Sequence, residues 1–410
     1  MVRQQYLRIL NRSITLVLIF LLTTIGVTQF DQIPFRFGSS AIAQDVNPIL
    51  TDVQALVNLG ARVAGTQVAE KASQFLTNEY RQAGYEVKIQ TFTYEKFIDL
   101  GTSLTVNGTR LEVWPLVGSV AGNPSGNLVA VPNFGRPDDF AKTNVKGAIA
   151  LIKRGEIPFT EKVKNAAIAG AAGVIVVNNE PGNVRGILKE TPKIPAIVIS
   201  QEQGTPLFEQ AKKSTTVSLK VNTRPQALGR NVIAYKKGVT QPKLLVGSHY
   251  DSVRSSPGAN DNASGTAVNL GLARQLAKTP FANQIWFVAF DGEEDGLQGS
   301  RSFVKQAKPD FLKGLRGMMN FDMVGINDPL IVQGSPALFP AAKAITSNVS
   351  SSIMGNSDHA SFNSQRVPVL FFHRGIEPNY HTPNDKTANS KLVADTQQMA
   401  LRIIQQILKG

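Results

Sequence analysis

Residues 243–253 read KLLVGSHYDSV, and residues 284–295 read QIWFVAFDGEED. Each contains an unbroken apolar run, LLVG or IWFVAF, that gives way to His, Asp and Glu. A strand covered on one face alternates apolar and polar residues; a strand covered on both faces does not. Both runs therefore predict strands buried between two layers of helix. Comparable runs predict strands over 231–235, 316–321 and 367–372. Apolar residues at helical spacing predict helices over 264–277, 299–307, 338–347 and 390–408. This alternation specifies an α/β fold, a three-layer α/β/α domain around a mainly parallel, mixed sheet. Upstream, helices are expected over 46–59 and 67–83 and a strand over 86–93, with Gly84 as a helix stop.

The character changes between 103 and 222. Strand-like pieces shorten and turns crowd, as at Asn107-Gly108, Pro124-Ser125-Gly126 and Gly135-Arg136-Pro137. A helix over 159–172 and buried-looking strands over 173–179 and 194–200 fit there. This stretch reads as a β-rich domain inserted into the α/β domain, which takes 44–102 and 223–410. A chain of 410 residues is long enough for two such units.

Residues 1–43 differ from the rest. Arg3, Arg8 and Arg12 precede an apolar run from Ile14 to Val27, and Ala41-Ile42-Ala43 has the small-residue spacing of a signal-peptidase site. The run is shorter than the about 20 residues that a membrane helix needs. It reads as a signal peptide, with an uncleaved anchor as the alternative because Val27 and Ala43 lie far apart. Either reading exports the folded chain, to the periplasm or outside the cell, and signal removal leaves no membrane span.

The chain has no Cys. Disulfides, thiolate ligands and Cys nucleophiles are thereby excluded. The net charge of +13 is strongly basic, and such surfaces attract nucleic acid. Here the basic runs are only pairs, such as Lys212-Lys213 and Lys236-Lys237, without interleaved aromatics. They read as solvated surface, and no nucleic-acid partner is expected.

Ligand sites in open α/β sheets lie beyond the carboxyl ends of strands. The 243–248 run ends in His249-Tyr250-Asp251, the 284–290 run in Asp291-Gly292-Glu293-Glu294, and the 316–321 run in Asp322. A loop after 367–372 carries Tyr380-His381-Thr382, and Asp261 closes the loop Gly258-Ala259-Asn260-Asp261 before a helix. Singly, an H-x-D or a Glu-Glu pair is usually solvated surface. Only four His occur in the chain, and two of them fall at these acidic ends. Two imidazoles with three carboxylates suit a borderline cation such as zinc. Five ligands exceed the needs of one catalytic zinc and suit two metals if one carboxylate bridges. One of Glu293 and Glu294 then ligates while the other handles a proton. The residues alone leave open which does which.

The segments GSHYDSV (247–253), GANDNASG (258–265), FDGEEDGLQGS (290–300), NFDMVG (320–325), SDHASF (357–362) and YHTPNDK (380–386) occur in one order. They resemble the zinc exopeptidase family that includes bacterial leucyl aminopeptidases and aminopeptidase Y. LGARVAGT (59–66) and AGYEVKIQTF (83–92) extend the likeness, which covers residues 47–408. It implies a zinc-exopeptidase core holding two Zn2+ per chain, and an aminopeptidase acting on peptides with a free N-terminus. It further implies that His249 and Asp322 hold one ion and Glu294 and His381 the other, with Asp261 bridging. Glu293 would be the proton shuttle, and Asp251 would orient His249 from behind. A cis peptide at Asp261-Asn262 is also implied.

KGAIALIKRG (146–155), PFTEKVKNAAIAGAAGVIVVNN (158–179) and IPAIVIS (194–200) resemble a protease-associated domain. In relatives that domain lies beside the cleft. Gating of the cleft and a plain spacer role both remain open. His359, His373 and Tyr380 are expected to be structural. Three other functions compete. A glutaminyl cyclase needs one zinc, and a non-catalytic, receptor-like relative typically loses ligands, whereas all five are present here. A related carboxypeptidase shares H-x-D and Glu-Glu, but GANDNASG and YHTPNDK favour the aminopeptidase branch.

Overall fold

The computed structural model of the chain describes residues 48–351 and 356–409. The stretch read as a signal peptide, 1–43, lies outside the described residues. The first sheet has eight strands: β1 (Glu86–Asp99), β2 (Thr223–Tyr235), β3 (Leu244–His249), β4 (Ile285–Phe290), β5 (Gly317–Phe321), β6 (Ile331–Gly334), β7 (Val349–Ser350) and β8 (Val369–His373). Their order is β1-β2-β4-β3-β5-β8-β6-β7. β4, β3, β5 and β8 are parallel neighbours. β1 and β2 add antiparallel at one edge, and β6 runs antiparallel to β8. The four central strands thus deliver their carboxyl ends to one edge of the sheet.

Alternate residues of these strands enter two cores. Val246, Phe287, Ala289, Met319 and Phe321 pack with residues of helices Pro48–Asn58, Gln67–Gln82, Gly265–Leu276 and Ser390–Lys409. Leu245, Val288, Phe290 and Met318 pack with Phe303, Leu312 and Phe362 of helices Gln298–Gln306, Pro309–Lys313 and His359–Asn363. Helices therefore cover both faces, which is why the strands carry no polar alternation. Burying one such side chain contributes about 1.5–3 kcal/mol.

A second sheet takes its strands from Ser103 to Lys220, with parallel strands Ser125–Ala130, Ile149–Lys153, Gly173–Val177 and Ala196–Ile199 in its middle. Every residue of Gly173–Val177 is buried. The chain enters and leaves this region through one antiparallel stem, β1 with β2, whose pairing runs from Glu86 with Tyr235 to Asp99 with Thr223.

Several elements differ from expectation. β1 runs on to Asp99 because β2 supplies a partner beyond the body of the sheet. The helix expected over 159–172 ends at Ile168, where the chain turns through Gly170 at φ +86°. The helix expected over 338–347 is only Phe339–Lys343, preceded by a tight turn at Pro336–Leu338. Helix Gln201–Ala211 was not expected, since Gly204 and Pro206 interrupt its pattern. Among the described residues, no helix is long and apolar enough to cross a membrane.

Candidate metal centre

His249 ends β3 with its ring buried, and its carbonyl accepts a bond from Thr266 Oγ1 at 2.7 Å. The chain then loops back beneath the sheet edge, where the fully buried Arg62 holds it. Arg62 donates from Nε to Tyr250 O (2.6 Å), from Nη2 to Gly258 O (2.9 Å) and from Nη1 to Pro257 O. Burial lowers the guanidinium pKa to about 10, while Asp251, Asp261, Asp385 and Glu294 pull the other way. Gly258 sits at φ +62°, and a Cβ there would come 2.3 Å from Asp261 O. Only glycine fits that approach. Asp261 follows, joined to Asn262 by a cis peptide bond, as the resemblance implied.

Two carboxylates fix the backbone of this edge. Asp385 accepts from the amides of Asn260 (2.7 Å) and Asp261 (3.1 Å). Asp251 accepts from the amides of Glu293 (3.1 Å) and Glu294 (3.3 Å), and its Oδ1 faces His249 Nδ1 at 3.5 Å. Asp251 thus steadies both the imidazole and the Glu-Glu pair.

The functional side chains converge. His249 Nε2 lies 3.4 Å from Asp261 Oδ1 and 3.3 Å from Asp322 Oδ1. His381 Nε2 lies 3.1 Å from Asp261 Oδ2 and 3.0 Å from Glu294 Oε2. The two oxygens of Asp261 therefore face different imidazoles. His249, Glu293 and Asp322 form one group of ligand-type atoms lying within 4.8 Å of one another, and Asp261, Glu294 and His381 form a second. All seven residues singled out from the sequence meet here. The side chain of His249 is 1% exposed and that of His381 36%, so the cluster opens to solvent on the His381 side.

The electrostatics follow from burial and crowding. Burial pushes the Glu293 carboxyl up to about 10; His249 opposes this, and Asp322, Asp358 and Asp251 add to it. Burial raises Glu294 to about 7 against the pull of His381. The carboxylates of Asp261 and Glu294, close beside the ring, raise His381 to about 10. Burial works to raise Asp261, but His249 and His381 outweigh it and hold its carboxyl well below the usual range.

Four carboxylates and two imidazoles at one point are a poor hydrogen-bonded cluster. Glu294 Oε1 and His381 Nε2 are buried without a hydrogen-bond partner. His381 Nε2 is close to two carboxylate oxygens yet aligned for a hydrogen bond with neither. Nitrogen and oxygen donors arranged this way fit borderline divalent cations such as zinc.

His373 and Tyr380 make packing and hydrogen-bond contacts. The His359 ring stacks on Phe371 at 4.3 Å, and Phe371 on His373 at 4.6 Å. His373 Nε2 pairs with Gln333 Oε1 at 3.1 Å, and Tyr380 stacks on His381 at 3.8 Å. Three residues of this centre carried no role in the sequence reading. Arg62 and Asp385 lie inside LGARVAGT and YHTPNDK, and a charged residue within such a segment was the available signal. Asp358 is fully buried with both oxygens unpartnered, and burial raises it to about 7.

Comparison with known proteins identifies the family. The chain matches peptidase family M28 over residues 231–406 and the PA domain over 124–207. Aminopeptidase YwaD of Bacillus subtilis (strain 168) is 34% identical over 358 residues, covering 80% of this chain and 76% of its own. The probable lipoprotein aminopeptidase LpqL of Mycobacterium tuberculosis is 34% identical over 288 residues, covering 67% of this chain and 57% of its own. Among solved structures, BSAP, a zinc aminopeptidase from Bacillus subtilis, aligns with a TM-score of 0.56 at 28% identity, covering 87% of this chain and 93% of its own. The chain belongs to peptidase family M28, as a metallo-exopeptidase with a PA domain set into its α/β/α core.

Proposed function

We propose that this aminopeptidase works through two zinc ions, with His249 and Asp322 on one, Glu294 and His381 on the other, Asp261 between them and Glu293 as general base. The observation that carries the reading is the split of Asp261, one oxygen toward each imidazole. When bound, the ions supply Lewis acidity at the scissile carbonyl and make water acidic near neutral pH.

The chain's own residues do the rest. Glu293 accepts a proton from the attacking water at a carboxylate oxygen and returns it to the leaving amine nitrogen. Burial raises the Glu293 carboxyl in the metal-free chain, and bound cations beside it would lower it toward the range of a base. Asp251 keeps His249 oriented and the Glu293 amide fixed. The cluster's open side at His381 admits a peptide whose free N-terminal amine meets an acidic surface. In this reading the catalytic domain takes residues 44–102 and 223–410, the PA insert takes 103–222, and residues 1–43 direct export. A relative named as a lipoprotein supports export.

The test is an assay of the purified protein on amino-acid p-nitroanilides, N-blocked peptides and N-terminal glutaminyl peptides, with and without chelator, beside Glu293→Gln. Hydrolysis of unblocked substrates alone, abolished by chelator, is expected. Glu293→Gln is expected to lower kcat by about 10²–10⁴-fold. Full activity in that variant would remove Glu293 as the base, and cyclisation of glutaminyl peptides in place of hydrolysis would favour a glutaminyl cyclase.

A further inference from the structure

The loop from Asp291 to Leu297 is gripped at three places. Asp291 accepts from the Arg230 amide at 2.9 Å and donates its own amide to Asn231 Oδ1 at 3.1 Å. The Glu293 and Glu294 amides are held by Asp251. The third grip has a different origin. Asp295 Oδ2 accepts from both the Tyr94 hydroxyl and the Lys96 ammonium, and both donors stand on β1. Residues two apart on a strand share a face, which brings both donors to one carboxylate.

Their place on the strand is informative. The β1–β2 register shifts between Glu95 and Ile98, in the two-stranded stem that runs on past the last β2–β4 pairs at Val232–Ala234 toward the insert. Such irregularities re-aim side chains. Lys96 also reaches Ala64 O at 3.4 Å, beside the segment that carries Arg62. The Tyr94 hydroxyl lies over Gly292, which sits at φ +72° and where a Cβ would come within 3.2 Å of it. The side chains of Lys96 and Asp295 are 21% and 23% exposed, so this is a part-buried contact and not a loose surface pair.

Resting on the assignment of Glu293 and Glu294 above, we infer that Tyr94 and Lys96, acting through Asp295, form a clamp that sets the position of the catalytic Glu293–Glu294 loop and ties it to the stem of the insert. These three are positioning residues and touch no substrate. Asp295 directly follows Glu294, so freeing its side chain lets the backbone of the pair drift. A misplacement of about 1 Å at a reacting group costs about 100-fold in rate. Two donors on one oxygen act as a unit, so their removal is non-additive.

The test compares Asp295→Ala, Lys96→Ala, Lys96→Arg, Tyr94→Phe and the double variant Lys96→Ala/Asp295→Ala with wild type. The readouts are kcat and KM on the best p-nitroanilide, zinc per chain and thermal midpoint. Asp295→Ala and Lys96→Ala are expected to lose about tenfold or more in kcat with KM within about twofold. Zinc content and midpoint should hold, Lys96→Arg should recover most of kcat, and the double variant should lose no more than the worse single one. Tyr94→Phe removes one hydroxyl and should lower kcat in the same sense, which keeps the test decisive if an alanine variant misfolds. Wild-type kcat in Asp295→Ala or in Tyr94→Phe, losses that track lost zinc, or additive losses would each overturn the clamp. Glu293→Gln serves as the control. If it stays active, the assignment fails and the clamp with it; if it is inactive while the clamp variants match wild type, only the clamp fails.

Discussion

Glu293 and His381 each carry a proton more tightly in the metal-free folded chain than they would unfolded, with values pushed to about 10. The cause at Glu293 is burial, and at His381 it is the two adjacent carboxylates of Asp261 and Glu294. A folded-state value above the unfolded one gives stability that is present below the unfolded value and lost as pH rises through the folded one. The zinc-stripped protein is therefore expected to lose stability from about pH 4.5, where Glu293 begins to contribute, with His381 adding from about pH 6.5, up to about pH 10. Denaturant unfolding at a series of pH values in chelator reads this out. A flat or rising profile over that range would contradict the proton-bound cluster. Metal must displace those protons, so apparent zinc affinity should rise with pH over the same window. Asp385 acts one step further out, by holding the backbone of Asp261. Asp385→Ala is expected to weaken zinc binding about 10–100-fold, measured by chelator competition, and unchanged affinity would leave Asp385 with a folding role only.

At the scale of elements, the four central strands and the acids at their ends were readable because two burial faces force a continuous apolar run and a sudden polar end. Leu244 to His249 and Ile285 to Phe290 match the expected strands to within one residue. What was not readable was long-range. Arg62 lies 188 residues from Tyr250, and only folding shows that its guanidinium staples the 250–258 loop. β6 and β7 are short and gain their order from pairing with β8 and with each other. The split between Glu293 and Glu294 was likewise open, because adjacent residues at a strand end differ only in which way the loop turns them. Arg62→Met should leave several buried carbonyls unpaired and cost roughly 3–5 kcal/mol, read from urea unfolding of metal-free protein. A loss below about 1 kcal/mol would show that the loop holds its shape without the guanidinium.

Across the whole molecule, two sheets share one stem. Asp99 pairs with Thr223, so the insert departs and returns at neighbouring points, and a short turn can bridge them. A chain lacking residues 103–222, closed by such a turn, is expected to fold, bind zinc and keep p-nitroanilide turnover within about tenfold, since Tyr94, Lys96 and the Glu-Glu loop all remain. If the insert gates the cleft, KM for long peptides should change while KM for p-nitroanilides does not. Identical kinetics on both substrate classes would reduce the insert to a spacer. The central claim is that Asp261 joins two metal ions. Zinc-edge anomalous diffraction from crystals of the full protein tests it most directly. Two peaks are expected, one at His249 and Asp322 and one at Glu294 and His381, each within ligand distance of a different Asp261 oxygen. A single peak, or two peaks of which Asp261 touches only one, would contradict it.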